Sequence, residues 1–159
     1  MEKITIKKNS LGDSRTASRV PSREEFDESN NSHRSDVSKL MNAFADELRE
    51  RAERHDWTKV EEPYAAMFYE LLASSIRGEK IFEEGEWAKL HYCELERHHL
   101  TRHCPDDVTL FDVIECICDN VAAGLSRAGY IFPIELSDEI LQKAFANTLE
   151  CIKTAVEVE

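Results

Sequence analysis

Apolar positions recur at three- and four-residue steps in five separate stretches, the spacing of helices that each turn one face inward. The first runs from Asp36 to about His55, with Val37, Leu40, Met41, Phe44, Leu48 and Ala52 on one face and Ser35 or Asp36 as its cap. A second spans about Val60 to Ile76 through Tyr64, Met67, Phe68, Leu71 and Leu72, with Gly78 closing it. A third, about Glu86 to His99, carries Trp87, Leu90 and Tyr92 before "HCPDD" breaks the pattern at Pro105. Between Val108 and Ala128, the stripe Leu110, Ile114, Ile117, Val121 and Leu125 is expected to face the core. "AGYIFPIEL" interrupts it, and Ser137-Asp138-Glu139 opens a fifth helix bearing Ile140, Leu141, Ala144, Phe145, Leu149 and Ile152. "KITIKK" near the start reads as a short extended segment, and no internal strand pair is convincing. The pattern predicts an all-α fold, a single compact bundle of about five helices on short loops.

Residues 9–35 break with this pattern: they are rich in Ser, Asn, Arg and acids and lack apolar periodicity. Residues 1–35 therefore read as a flexible N-terminal arm and residues 36–159 as the helical domain. Charge sharpens the division. Of 20 basic and 32 acidic residues, the arm holds seven and six, leaving 13 and 26 in the domain, a formal balance of -13. Such a surface repels phosphate backbones and anionic membranes, so general nucleic-acid binding and membrane binding are not expected. Cys93, Cys104, Cys116, Cys118 and Cys151 are odd in number, and no signal peptide or transmembrane run precedes them, which points to a reducing cytoplasm. On a helix the thiols of Cys116 and Cys118 diverge by about 200° and suit one metal poorly. Free thiols packed as small hydrophobes are the plainer reading.

Histidine changes the picture. Four of six, His91, His98, His99 and His103, fall within thirteen residues. On a continuous helix His91 and His98 share a face, about 20° and roughly 10 Å apart, so they can line one cleft but need other helices to share a metal. Asp119 has Glu115, Cys116, Ala122 and Ala123 as helical neighbours, mostly small or apolar, so its carboxylate is expected to face a partly buried surface and either to protonate or to find a cation, a metal held by histidines being one candidate. Asp112 suits the helix's N-terminal turn instead.

Taken in order, His55-Asp56 with Lys59, then His91, His98-His99, and "ICDNVAA" with Asp119, resemble the ligand order of HD-domain metal phosphohydrolases, including the HDxxK form of cyclic-dinucleotide phosphodiesterases. "RAERHDWTK", "HY", "RHH" and "VTLFDVIECICDNVAA" resemble more closely an uncharacterised family of small bacterial and phage HD-like proteins, over about residues 33–155. The resemblance implies an HD-like bundle and a divalent metal (Mn, Fe, Zn or Mg) bound by His55, Asp56, His91, His98, His99 and Asp119. Such relatives follow the paired histidines with Pro-Glu and the late aspartate with Trp, where this chain has Leu100-Thr101 and Asn120. The register among Arg97, His98 and His99 thus stays open. His33 can join the set only if the first helix is broken, since one straight helix separates it from His55 by about 33 Å.

The expected function is metal-dependent phosphohydrolysis of a nucleotide or other small phosphate ester. His55, Asp56 and Asp119 hold one metal, and His91 with His98 or His99 holds a second or orients phosphate. Asp56 and Lys59 are the catalytic candidates, Lys59 through a phosphate oxygen; Arg97 and Arg102 are further phosphate contacts. A different class competes: a non-catalytic acidic helical module, such as a phage regulator or inhibitor, that binds a basic protein partner. A structural zinc site of His98, His99, His103 and Cys104 is a third reading, without a zinc-finger framework.

Overall fold

The computed structural model of the chain describes residues 3–8 and 15–159. In order it contains β1 (Ile4–Ile6), α1 (Arg23–Arg54), α2 (Tyr64–Ile76), α3 (Glu86–Lys89), α4 (Leu110–Ala128), α5 (Asp138–Ala155) and β2 (Val156–Val158). Short 3-10 turns cover Trp57–Lys59 and Phe82–Glu84, and a π-helical segment, Leu90–Leu95, continues α3. The described chain is mostly helical, in keeping with the all-α expectation. None of its helices is long and apolar enough to cross a membrane. Two compact units divide it: residues 1–49 with 149–159, and residues 50–148.

In the first unit, α1 begins at Arg23, thirteen residues before the expected start at Asp36. The cause is local. Ser22 Oγ accepts the Glu25 N–H at 3.2 Å, and the Glu25 carboxylate accepts the Ser22 N–H at 2.8 Å, a reciprocal cap that starts a helix without any apolar periodicity. Residues 23–35 of the segment read as an arm are therefore helical, while residues 1–2 and 9–14 of that segment lie outside the described residues. The expected extended segment is β1, and it has a partner that sequence did not reveal. β1 and β2 pair in parallel with Ile4 opposite Val156 and Ile6 opposite Val158. Lys39 Nζ donates to the Thr5 carbonyl at 3.2 Å and to the buried Asp36 carboxylate at 2.8 Å, tying α1 to β1.

Residues 50–148 carry two apolar clusters. Leu71, Trp87 and Ala88 form one, with Tyr64, Met67 and Phe68 of α2 packed on it as their spacing predicts. Leu100, Val108, Val113, Cys116 and Ala144 form the other, joined by Leu110 and Ile140. Helix α2 starts at Tyr64 instead of Val60 because Pro63 disfavours helix at the residue before it. Helix α4 matches its expected range, held at its start by a capping box between Thr109 and Asp112 and at its end by Gly129 at φ 75°. Its orientation, however, departs from the expectation beyond Leu110, which packs on the core while Val121 is half-buried. Ile114, Ile117 and Leu125 of the expected core stripe are exposed, and Phe111, Asp112, Val113, Cys116 and Gly124 are buried. Two arcs of α4 carry apolar residues, and the inner one is the arc that also carries its carboxylates.

The third helix departs most. Instead of continuing to His99, regular helix yields to the π-helical turn at Leu90, and Glu96 is extended at φ -102°, ψ 113°. No glycine or proline marks the break. Glu96 is buried, and its carboxylate is drawn to Thr58, a tertiary contact that local pattern does not encode.

Candidate metal centre

The residues that form the centre all belong to the unit of residues 50–148. Helix α1 ends at Arg54, and the backbone turns at once: Asp56 takes the left-handed conformation at φ 57° that Asp tolerates better than most residues. That turn aims His55 and Asp56 inward and leads into the 3-10 turn, where Thr58 is fully buried. His91 comes from the π-helical turn, where such widened turns re-aim side chains at functional sites. His98 and His99 come from the turn after Glu96, and Glu115 and Asp119 from the inner arc of α4.

These side chains converge. Ligating atoms of His55, Asp56 and Asp119 lie within 4.8 Å of one another, as do those of Asp56, His91 and His99, of His98, His99 and Asp119, and of His55, His98 and Glu115. His91 Nε2 is 2.9 Å from His99 Nε2 and 3.5 Å from Asp56 Oδ1. His55 Nε2 is 3.4 Å from Asp56 Oδ2 and 3.8 Å from Asp119 Oδ1. His98 Nε2 is 3.8 Å from Asp56 Oδ1 and 3.9 Å from Asp119 Oδ2. The groups of His, Asp and Glu can therefore hold a metal ion. All six expected ligands are gathered here, and both paired histidines reach the centre.

Among the described residues, Asp56 Oδ1 and His98 Nε2 are buried polar atoms with no hydrogen-bond partner, while His98 Nδ1, without a well-aligned bond, still faces Glu115 Oε1 at 3.1 Å. An unpaired buried polar atom costs about 1–3 kcal/mol, so two of them 3.8 Å apart are a strong sign of a missing partner. A divalent cation suits this donor set of imidazole and carboxylate.

Electrostatics agree with ligand chemistry. Burial, with the Lys59 ammonium nearby, pushes His91 down to about 4. Burial and the neighbouring His98 push His99 down to about 3. Both rings are thus neutral at pH 7 and have a lone pair to offer. Hydrogen bonding to Glu115, outweighing burial, raises His55. Burial acts to raise Glu115, but the hydrogen bond with His55 and the close approach of His98 hold it at about 2. Burial likewise opposes ionisation of Asp56, and Lys59, which donates to Asp56 Oδ2, more than offsets it.

Other expected contacts fall elsewhere. Arg97 does not face the centre: it donates to Asp112 Oδ1 at 2.9 Å and Oδ2 at 3.1 Å and to Asp107 at 3.0 Å, so it is a structural cation and not a phosphate contact. Arg102 stacks its guanidinium 5.5 Å from the Tyr92 ring. Asp112, capped as expected, is fully buried between Arg97 and Arg51. His33 lies exposed on an unbroken stretch of α1 and joins none of these groups. His103 and Cys104 join none either, which removes the structural zinc arrangement among the described residues. Cys116 is buried and Cys118 exposed, diverging as expected; all five cysteines are free thiols.

Sequence reasoning missed Thr58, Glu96 and Glu115 as parts of the site. For Glu115 a signal existed, one helical turn before Asp119 on the same arc. For Thr58 and Glu96 there was none, because their meeting across 38 residues is tertiary.

Residues 22–155 match the family of unknown function DUF5662. The chain belongs to that family. Comparison with curated proteins and with solved structures gave no match.

Proposed function

We propose that this protein is a metal-dependent phosphohydrolase of HD-like character, acting in the cytoplasm on a nucleotide or other small phosphate ester. The observation that carries the reading is the pair of unpartnered buried atoms, Asp56 Oδ1 and His98 Nε2, at the point where four histidines and two aspartates converge. His55, Asp56 and Asp119 would hold one cation, and Asp56, His91 and His99 a second, with His98 a further ligand. When bound, a divalent cation lowers the pKa of water to give hydroxide near neutral pH and offsets phosphate charge.

The chain's own groups do the rest. Asp56 and Asp119 supply the negative charge that holds cations, and His91 and His99 stay neutral beside them. Lys59, paired with Asp56, is the cation at the centre that can turn to a non-bridging phosphate oxygen. Trp87 stacks on His91 at 4.4 Å and closes that side to water. A formal charge of -12 supports a small substrate over a long nucleic acid. The reading as an acidic module that binds a basic protein expects histidines spread over the surface; their convergence supports the metal centre instead.

Metal analysis of untagged protein tests this. The parent should carry near-stoichiometric divalent metal, and Asp56→Ala and Asp119→Ala should each lose most of it while remaining folded. Manganese-supported hydrolysis of a phosphodiester or nucleotide should fall by at least about a hundredfold in both, on the scale of losing a transition-state charge contact. Unchanged metal content in both variants defeats the proposal.

A further inference from the structure

Several of the imidazoles are held from behind by a group that is not itself aimed at the centre. We infer that Thr58, Glu96 and Glu115 are positioning residues that fix the tautomers of His91, His55 and His98, leaving Nε2 of each ring as its ligating atom. The inference rests on the metal-centre reading above and assigns Glu115 a role outside the ligand set.

For His91 the chain of protons is closed by counting. Glu96 Oε1 accepts both the Thr58 amide N–H at 3.1 Å and the Thr58 hydroxyl at 2.9 Å. A hydroxyl has one proton, and Thr58 spends it on Glu96. Its oxygen, 2.7 Å from His91 Nδ1, can therefore only accept, so Nδ1 carries the ring proton and Nε2 carries the lone pair. That Nε2 faces His99 Nε2 at 2.9 Å and Asp56 at 3.5 Å. Two nitrogens at that separation need one proton between them, so without metal His99 is protonated at Nε2 and donates to His91. Trp87 adds rigidity: it stacks on the His91 ring at 14° and donates from its indole N–H to the Thr58 carbonyl at 3.3 Å.

Glu115 does the same for two rings at once. Its Oε1 is 3.1 Å from His55 Nδ1 and 3.1 Å from His98 Nδ1, the latter off the line of a good hydrogen bond. An ionised carboxylate only accepts, so the nitrogens it faces are the protonated ones. The opposite edges of both rings, their Nε2 atoms, face Asp56 and Asp119. Were Glu115 a direct ligand with His55 and His98, the rings would ligate through Nδ1 and turn Nε2–H groups toward the aspartates. Arg51 orients the glutamate: it reaches Glu115 Oε2 at 3.4 Å while held by Asp112 at 2.7 Å. Carboxylates and hydroxyls behind a metal-binding histidine generally set its tautomer and ring angle, and losing one costs about 10- to 100-fold in metal affinity.

The test is a long-range 1H–15N spectrum of the metal-free full chain, labelled at histidine, at about pH 8.5, roughly two units above the ordinary histidine value. His91, His55 and His98 should be protonated at Nδ1 and His99 at Nε2. Thr58→Val should release the His91 tautomer and Glu115→Met those of His55 and His98. Each should weaken manganese binding in calorimetry by about 10- to 100-fold, and Thr58→Ser should restore the parent in both readouts. The proposal is overturned if the parent shows Nε2–H at His91, His55 or His98, or if Thr58→Val and Glu115→Met keep parental tautomers and affinity. A parent with these tautomers that binds no manganese defeats the metal reading alone. Should Thr58→Val not fold, the parent spectrum and Thr58→Ser still decide.

Discussion

Asp112 and Asp56 are two aspartates in one unit with opposite circumstances. Asp112 is fully buried, but Arg51, Arg97 and the Thr109 backbone and hydroxyl occupy both its oxygens, and although burial opposes its ionisation these partners hold it below the usual carboxylate range. Asp56 keeps one oxygen without a partner. The first is structural, and the second is free for the proposed cation. Asp112→Ala should remove the buried carboxylate that Arg51 and Arg97 share and lower stability by about 3–5 kcal/mol, read as a drop in the denaturation midpoint. Asp107→Ala, which removes the exposed partner of the same Arg97, should cost no more than about 0.5 kcal/mol. Equal losses would contradict this division. At this scale the candidate ligands were legible, because an ordered set of His and Asp residues survives as a list in the chain. Glu115 was hidden among ordinary helix-surface glutamates.

Helix α4 shows how an element can be found correctly and turned the wrong way. Its length, its Thr109 cap and its Gly129 end follow from local rules, whereas its inner face does not, because Ile114, Ile117 and Leu125 would have made an equally good buried stripe. What selects the other arc is that Asp112, Glu115 and Asp119 lie on it and find partners inside. Gly124 reports the same choice: a Cβ there would meet the Tyr130 carbonyl oxygen at 2.6 Å and the Phe132 nitrogen at 3.0 Å, backbone atoms that cannot step aside as a side chain would. Gly124→Ala should therefore cost about 1–3 kcal/mol despite the better helix propensity of alanine, measured by chemical denaturation. A neutral or stabilised variant would mean that this arc does not pack against residues 130–132. The early end of the third helix has the same origin, since the contact of Glu96 with Thr58 outweighs a sequence that could continue as helix.

Across the molecule, the titration of the centre couples to folding. His91 at about 4 and His99 at about 3 lie below the ordinary histidine value of 6.5, so between those limits the unfolded chain binds protons that the folded chain refuses. Acidification in that window favours unfolding. His55, raised, works the other way, with stability lost as pH rises above 6.5 through its folded value, outside the acid window. The metal-free chain should lose stability from about pH 7 to about pH 5, with a shallower slope in His99→Asn, measured by urea denaturation at each pH. A flat profile would show that these rings titrate normally. By itself the sequence determined the helical class, most helix limits after residue 55 and the identities of the candidate ligands, because spacing, caps and residue types are local properties. Only the tertiary structure decided which arc of α4 turns inward, where the third helix breaks, how β1 finds β2 and which groups hold the histidines from behind. Those depend on free energies of partners far apart in the chain, and no local pattern records them.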